Sequence, residues 1–232
     1  MKVYVYCLAE QVETSAVSSG ISGAKVEFVE VEGFSVLVSE FPADAVPVTR
    51  ENVLTHDSVV RSVLEQATPL PFRFGTLTTE KELASYLQAH RQTIDARLSL
   101  VRGCLEMSVK IIWNTDETNS GADNSDLGPG IKFLEKKRRE IFGSEQAKEV
   151  AGWLQRQVTG LVREEQVSLC PTEKLIVAAA HLVEREQLTV YRECVGKARK
   201  SRPELHFLVS GPWPPYSFSN IDLEFKTRFG VS

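Results

Sequence analysis

The chain opens on a run whose apolar side chains occupy both parities, with Val3, Val5 and Cys7 on one face and Tyr4, Tyr6 and Leu8 on the other. A strand of that kind belongs at the centre of a sheet covered on both sides. Val26 to Val31 and Ser35 to Phe41 are two further β-rich runs, separated by Glu32, Gly33 and Phe34, where Gly33 supplies the positive φ that a hairpin turn needs. The period then changes to a helical one. Val53, Val60, Val63, Leu64 and Ala67 predict a helix from Glu51 to Ala67, acidic in its first turn and stopped before Pro69. Leu70 to Phe74 predicts a short strand ended by Gly75. Thr79 and Glu82 form a capping box that opens one long helix, whose stripe of Leu83, Leu87, Ile94, Leu98 and Val101 runs out at Gly103.

Beyond Gly103 the alternation is strict: Met107, Val109, Ile111 and Trp113 share one face of a strand and Glu106, Ser108 and Lys110 the other. Asn114 to Gly128 carries four acids, no bases and almost no apolar residues, the composition of a solvated loop. Helices follow over Ile131 to Phe142 and Ser144 to Arg163, the second with Val150, Leu154, Val158 and Leu161 on its buried stripe. Strands over Gln166 to Cys170 and Lys174 to Val183, a helix over Glu186 to Lys200 and a strand over Leu205 to Val209 close the set. The order β-α-β-β-α-β is that of a ferredoxin-like domain. The first half can be read similarly, with a shorter connection over Val12 to Ser19 and a helix added after its last strand. The expected architecture is therefore α+β in two domains. Residues 1–103 form an α+β sandwich, and residues 104–232 form the ferredoxin-like domain, with the acidic loop 114–128 and an aromatic and proline arm at 211–232.

At 42% hydrophobic and 25% charged residues the chain is composed like a soluble globular protein. No apolar run approaches the roughly 20 residues a membrane-spanning helix needs, and the N-terminal stretch lacks the features of a secretory signal, so a cytoplasmic location is expected. A formal charge of −4 gives no basic footprint for nucleic acid. Cys7, Cys104, Cys170 and Cys194 are scattered, with no metal-ligand spacing, and are expected to be reduced and mostly buried. No nucleophile elbow, phosphate loop, dinucleotide fingerprint or zinc-protease motif occurs, so neither catalysis nor a cofactor or metal is expected. The acidic loop lacks the ligand spacing of a calcium-binding loop. His56 precedes Asp57, but adjacent helical residues do not face each other, and His56 reads as a capping or core-edge residue. His90 reads as a boundary residue, and His181 and His206 lie in strands without an implied partner. Tyr4 and Tyr6 on a first strand are similar to the base-stacking pair of RNA-recognition domains, without the glycine-and-aromatic signature of the third strand.

Two segments carry more information. In Pro69 to Thr76, PLPFRFGT, Arg73 stands between Phe72 and Phe74, so its guanidinium either reaches a rim or pairs with a buried carboxylate. In Ser210 to Phe218, SGPWPPYSF, the prolines hold an extended backbone presenting Trp213, Tyr216 and Phe218, which dock either on their own domain or on a partner. Basic residues add a further candidate surface. Lys132, Lys136, Lys137, Arg138 and Arg139 crowd one helix of the second domain, while Arg192, Lys197, Arg199, Lys200 and Arg202 crowd the other or its end. Both helices of a ferredoxin-like domain cover one sheet face, so these charges form either one cationic contact surface or a solvated face.

The opening KVYVYCLA, His56, PLPFRFGT, the run RLSLVRGCLEMSVKI from Arg97 to Ile111 and the closing SGPWPPYSF, in that order, resemble the gas vesicle accessory family GvpL/GvpF. Cys7 stands where the family's opening pattern has glycine. The resemblance spans nearly the whole chain and implies a non-catalytic accessory or minor structural protein of gas vesicles, located in the cytoplasm and at the vesicle. The implied partners are the shell protein and other accessory proteins, with no cofactor, nucleic acid or membrane. It supplies no catalytic residues. Arg73, Trp213, Tyr216, Phe218, Lys197, Arg199 and Lys200 are the candidate partner-binding residues. A small-ligand-binding or RNA-binding ferredoxin-like protein is the alternative reading, because that fold hosts many functions.

Overall fold

Strand β1 (Lys2–Ala9) is buried along both faces, as its doubled apolar pattern requires. The computed structural model describes residues 2–10, 19–113, 144–169, 175–221 and 229–230. The acidic loop, the helix expected over 131–142 with its five basic residues, most of the 12–19 connection and Cys170 lie outside these residues. β1 is flanked on one side by the hairpin of β2 (Val26–Val31) and β3 (Phe34–Phe41). Val31 pairs with Phe34, leaving Glu32 and Gly33 as a two-residue turn with φ of 52° and 77°. Positive φ at both positions is the requirement of a type I′ turn.

The pairing of β1 with β3 slips between Val5 and Cys7. This β-bulge reverses the parity that simple alternation predicts, because one strand then sets two residues against one. Cys7 and Ala9 join Tyr4 and Tyr6 in one core cluster, and Cys7 does not sit with Val3 and Val5. Hydrophobicity gives no sign of the bulge, since both faces of β1 are apolar.

After the short β4 (Val46–Pro47), α1 (Arg50–Leu64) begins at Thr49, whose side chain caps the Asn52 N–H at 3.1 Å. Val59, Val60 and Val63 of α1 pack into the cluster with Tyr4 and Tyr6. The strand expected over Leu70 to Phe74 is shorter: β5 is Leu70–Pro71, and a turn closed by Thr76 N–H to Arg73 C=O at 3.2 Å separates it from β6 (Leu77–Thr79). Gly75, at φ 86°, occupies the turn position that needs positive φ. β5 and β6 both pair antiparallel with β1, so the turn is pinned at each end. One long helix is expected from Thr79 to Val101; the chain forms α2 (Glu80–Ala89) and α3 (Arg91–Val101), broken at His90, which leaves helical geometry at φ −110° and ψ 15°. The His90 ring stacks on Tyr86 at 4.2 Å, and its Nδ1–H donates to the Tyr86 carbonyl at 3.0 Å.

The second sheet has the order β10-β7-β9-β8. Its strands are β7 (Cys104–Trp113), β8 (Glu164–Leu169), β9 (Leu175–Glu184) and β10 (Leu205–Trp213), with α4 (144–157) and α5 (Leu188–Ser201) between them. Met107, Val109 and Ile111 from β7 meet Val150, Leu154 and Val158 after them, then Tyr191 and Val195 of α5 and Phe207 of β10, in a second core. The short helix α6 (Tyr216–Ser219) follows β10, and β11 (Phe229–Gly230) pairs parallel with β4. The chain is thus α+β with two sheets. Its contacts fall into two compact units, Met1–Glu106 with Pro212–Ser232, and Met107–Gly211. The arm expected to belong to the second domain therefore packs with the first from Pro212 onward. Its backbone also coils into α6 and is not extended throughout.

Candidate functional site

The centre of the first unit is an unusually polar core. Tyr4 and Tyr6, fully buried, lie beside His56 of α1, with ring centroids 5.7 Å from the imidazole in each case. The Tyr4 hydroxyl accepts the Gly75 N–H at 3.0 Å and lies 2.9 Å from His56 Nδ1. Nε2 is buried without a hydrogen-bond partner. Burial holds the His56 pKa down at about 4, against smaller upward influences from Asp57 and the Phe72 backbone. Burial likewise raises the Tyr4 and Tyr6 phenols, so all three groups are neutral at pH 7. The Tyr6 hydroxyl accepts from Ile21 N–H at 3.0 Å and meets Ser39 Oγ at 3.1 Å. Enclosed in this way, Tyr4 and Tyr6 offer no face to a nucleotide base.

The closing segment docks beside this core, within the first unit. Trp213 is half-buried under the Arg61 guanidinium, whose carbon sits 4.1 Å from the ring centroid. Arg61 in turn pairs with Asp57 one helical turn earlier at 2.6 Å, and the Tyr216 hydroxyl donates to the other Asp57 oxygen at 3.4 Å. The Tyr216 ring lies 6.4 Å from His56. Burial, with Asp57 beside it, raises the Tyr216 phenol. At the start of α6, the Glu106 carboxylate accepts Ser217 N–H at 2.8 Å and Ser217 Oγ–H at 2.7 Å. Burial pushes the Glu106 pKa up while the two Ser217 bonds pull it down. Phe218 is fully buried.

The candidate residues thus separate. Arg73 is exposed and, with Tyr216, lines a cleft of 270 Å³ in which Pro71, Phe72 and Arg73 face Tyr216, Ser219 and Asn220. Trp213 and Tyr216 are each partly exposed. Phe218 is a correction: with no surface of its own it anchors the segment and cannot present itself to a partner. Lys197, Arg199 and Lys200 are exposed on α5 of the second unit. Asp57, Arg61, Glu106 and Ser217 are parts of the seat that periodicity missed. For Asp57 and Arg61 a signal existed, the helical i, i+4 spacing of an ion pair. Glu106 carried none, because it reads as one polar residue on the solvent side of β7.

The second unit holds a buried histidine of its own. His181 Nδ1 meets the Tyr191 hydroxyl at 2.6 Å, its Nε2 has no hydrogen-bond partner, and burial lowers its pKa to about 4. Among the described residues no group of three or more His, Cys, Asp or Glu side chains converges to hold a metal, and no helix is long and apolar enough to cross a membrane.

Comparison with known proteins gives one answer. Residues 2–220 match the family described as gas vesicle synthesis protein GvpL/GvpF. Gas vesicle protein F1 of Halobacterium salinarum is 25% identical over 98% of this chain and 97% of its own length. Gas vesicle protein F of Dolichospermum flosaquae is 23% identical over 88% of this chain and 91% of its own. The crystal structure of GvpF from Anabaena sp. PCC7120 superposes with a TM-score of 0.80 at 21% identity, covering 96% of this chain and 97% of that one. That of GvpF from Microcystis aeruginosa gives 0.78 at 20%, covering 94% and 99%.

Proposed function

The chain belongs to the gas vesicle synthesis protein GvpL/GvpF family, and from that premise we propose that it works by binding proteins and not by catalysis. It is a cytoplasmic accessory or minor structural component that contacts the shell protein and other accessory proteins while gas vesicles are built. One observation carries the reading. The separated motifs that mark the family meet at a single place: Tyr4 and Tyr6, His56, the Arg73 turn, Glu106 and the closing segment from Trp213 to Phe218 all contribute to one seat. Its buried polar groups are turned inward, onto one another, which suits a rigid support and not a reaction centre. What the support holds at the surface is Arg73, Trp213 and Tyr216, residue types that dominate protein contacts when they are held in place in advance.

The partner's chemistry follows from what assembly must prevent. Unassembled amphipathic shell subunits expose apolar surface and strand edges prone to aggregation, and this chain shields or orients them through the closing segment or by strand addition at a sheet edge. The second unit, whose sheet order β10-β7-β9-β8 is that of a ferredoxin-like domain, supplies a second contact through Lys197, Arg199 and Lys200. A pull-down of purified shell and accessory proteins on the immobilised chain tests the proposal. Retention is expected, weakened by salt and by reversing those three charges; no retention of either class of partner would end it.

A further inference from the structure

Among the described residues, the edge strands long enough to accept another strand are β2 of the first sheet and β8 and β10 of the second. Such an edge offers a row of backbone N–H and C=O groups, and proteins commonly guard it with charged side chains. β2 carries Glu27 and Glu30, both exposed, and β8 carries Glu164 and Glu165. β10 has no acid, lysine or arginine from Leu205 to Trp213. One side of β10 pairs with β7, and no described strand pairs with the other. Leu205 and Phe207 belong to the second core, while His206, Leu208, Val209 and Ser210 are all exposed, Leu208 at 49% and Val209 at 42%. Successive side chains of a strand point to opposite faces, so at Leu208 and Val209 both faces of this edge show apolar surface to solvent.

The strand is complementary to itself. Pro212 has no N–H and ends further pairing, which leaves Leu205 to Gly211, with Leu208 at the midpoint. An antiparallel copy of this segment, related by a two-fold axis through Leu208, sets Leu208 against its own counterpart, Phe207 against Val209, His206 against Ser210 and Leu205 against Gly211. The exposed apolar side chains then meet one another across the axis, and no charge opposes its like. The same operation on β2 puts Glu27 opposite Glu30, a like-charge pair that disfavours it. We propose that a second copy of this chain pairs along β10, antiparallel about Leu208, and joins two four-stranded sheets into one continuous sheet in a symmetric dimer. This pairing does not depend on the binding role proposed above, and either can fail without the other.

Sedimentation equilibrium of the full chain is expected to reach twice the mass of one chain as concentration rises. Leu208→Lys places two ammonium groups opposite each other at the axis and is expected to weaken dimerisation about tenfold or more. Val190→Lys, the same charge added at an exposed valine of α5, leaves it unaltered. Unchanged circular dichroism and thermal midpoint certify that both variants are folded. The register is read by cross-linking. Leu208→Cys lies within disulfide reach of its counterpart, cross-strand Cα atoms being roughly 4.5–5.5 Å apart, so mild oxidation yields a covalent dimer above the wild-type background. His206→Cys, roughly 14 Å from its counterpart, does not. A monomer at every concentration, dimerisation indifferent to Leu208→Lys, or cross-linking no better through Leu208→Cys than through His206→Cys would each overturn the assignment. So would amides at 206–210 that gain protection from exchange only when shell protein is added, a result that gives the edge to a partner's strand.

Discussion

Gly20 shows how tightly single residues are fitted around the polar core. A Cβ at this position would lie 2.4 Å from the Tyr6 hydroxyl and 2.7 Å from a Val26 methyl, so Gly20→Ala is expected to cost about 1–3 kcal/mol, read as a lower midpoint in urea. The buried histidines make stability depend on pH in a defined direction. Folding lowers the pKa of His56 and of His181 to about 4, while the unfolded chain keeps the ordinary value near 6.5. Between those values the unfolded state binds more protons, so stability is fully present above about pH 6.5 and is lost as pH falls toward 4, by about 3 kcal/mol for each histidine. Urea midpoints measured across that window should fall steeply for the wild type and distinctly less for His181→Gln; identical slopes would contradict the assignment. The sequence marked His56 as a core-edge residue and left His181 without a partner, because Tyr4 and Tyr191 come near only through sheet and helix packing. Glu106 was invisible for a related reason, since its partner Ser217 stands 111 positions away.

Among the elements, the closing segment depends most on contacts remote in sequence. Its attachments among the described residues include Arg61 over Trp213, Asp57 to Tyr216 and Glu106 to Ser217. Removing the last by Glu106→Ala leaves the part-buried Ser217 N–H without its carboxylate acceptor, a loss of about 1.5–3 kcal/mol. Hydrogen exchange should then accelerate at 217–220 by one to two orders of magnitude, roughly what that energy permits, while α4 and β9 remain protected. Elements with a single strong period were legible: the hairpin, α1, β7 and α5 lie close to where alternation and helical spacing set them. The misread elements are those where a local conformation overrides the pattern. Gly75 turns the chain out of β5 after two residues, His90 breaks a stripe whose apolar spacing continues across it, and the bulge after Val5 leaves no trace in a strand apolar on both sides.

For the whole molecule, element order in the second half specified α+β architecture, because helical and strand periods alternate cleanly there and parallel crossovers leave few topologies. Membership of the arm was not legible. Prolines and aromatics announced a segment that must dock, but its seat is built from α1, β5 and β7, and no property of residues 212–221 alone selects the first unit over the second. The same long-range convergence underlies the proposed function, in which the separated family motifs that meet in the first unit hold a few side chains at the surface for a partner to bind. The most direct test is to measure binding of purified gas vesicle shell protein to this chain by interferometry, with Arg73→Gln and the reversal of Lys197, Arg199 and Lys200 in parallel. Saturable binding by the wild type, weakened in at least one variant whose fold is unchanged, is the expected result; no binding of shell or accessory protein by a folded wild-type chain, at any salt concentration, would contradict it.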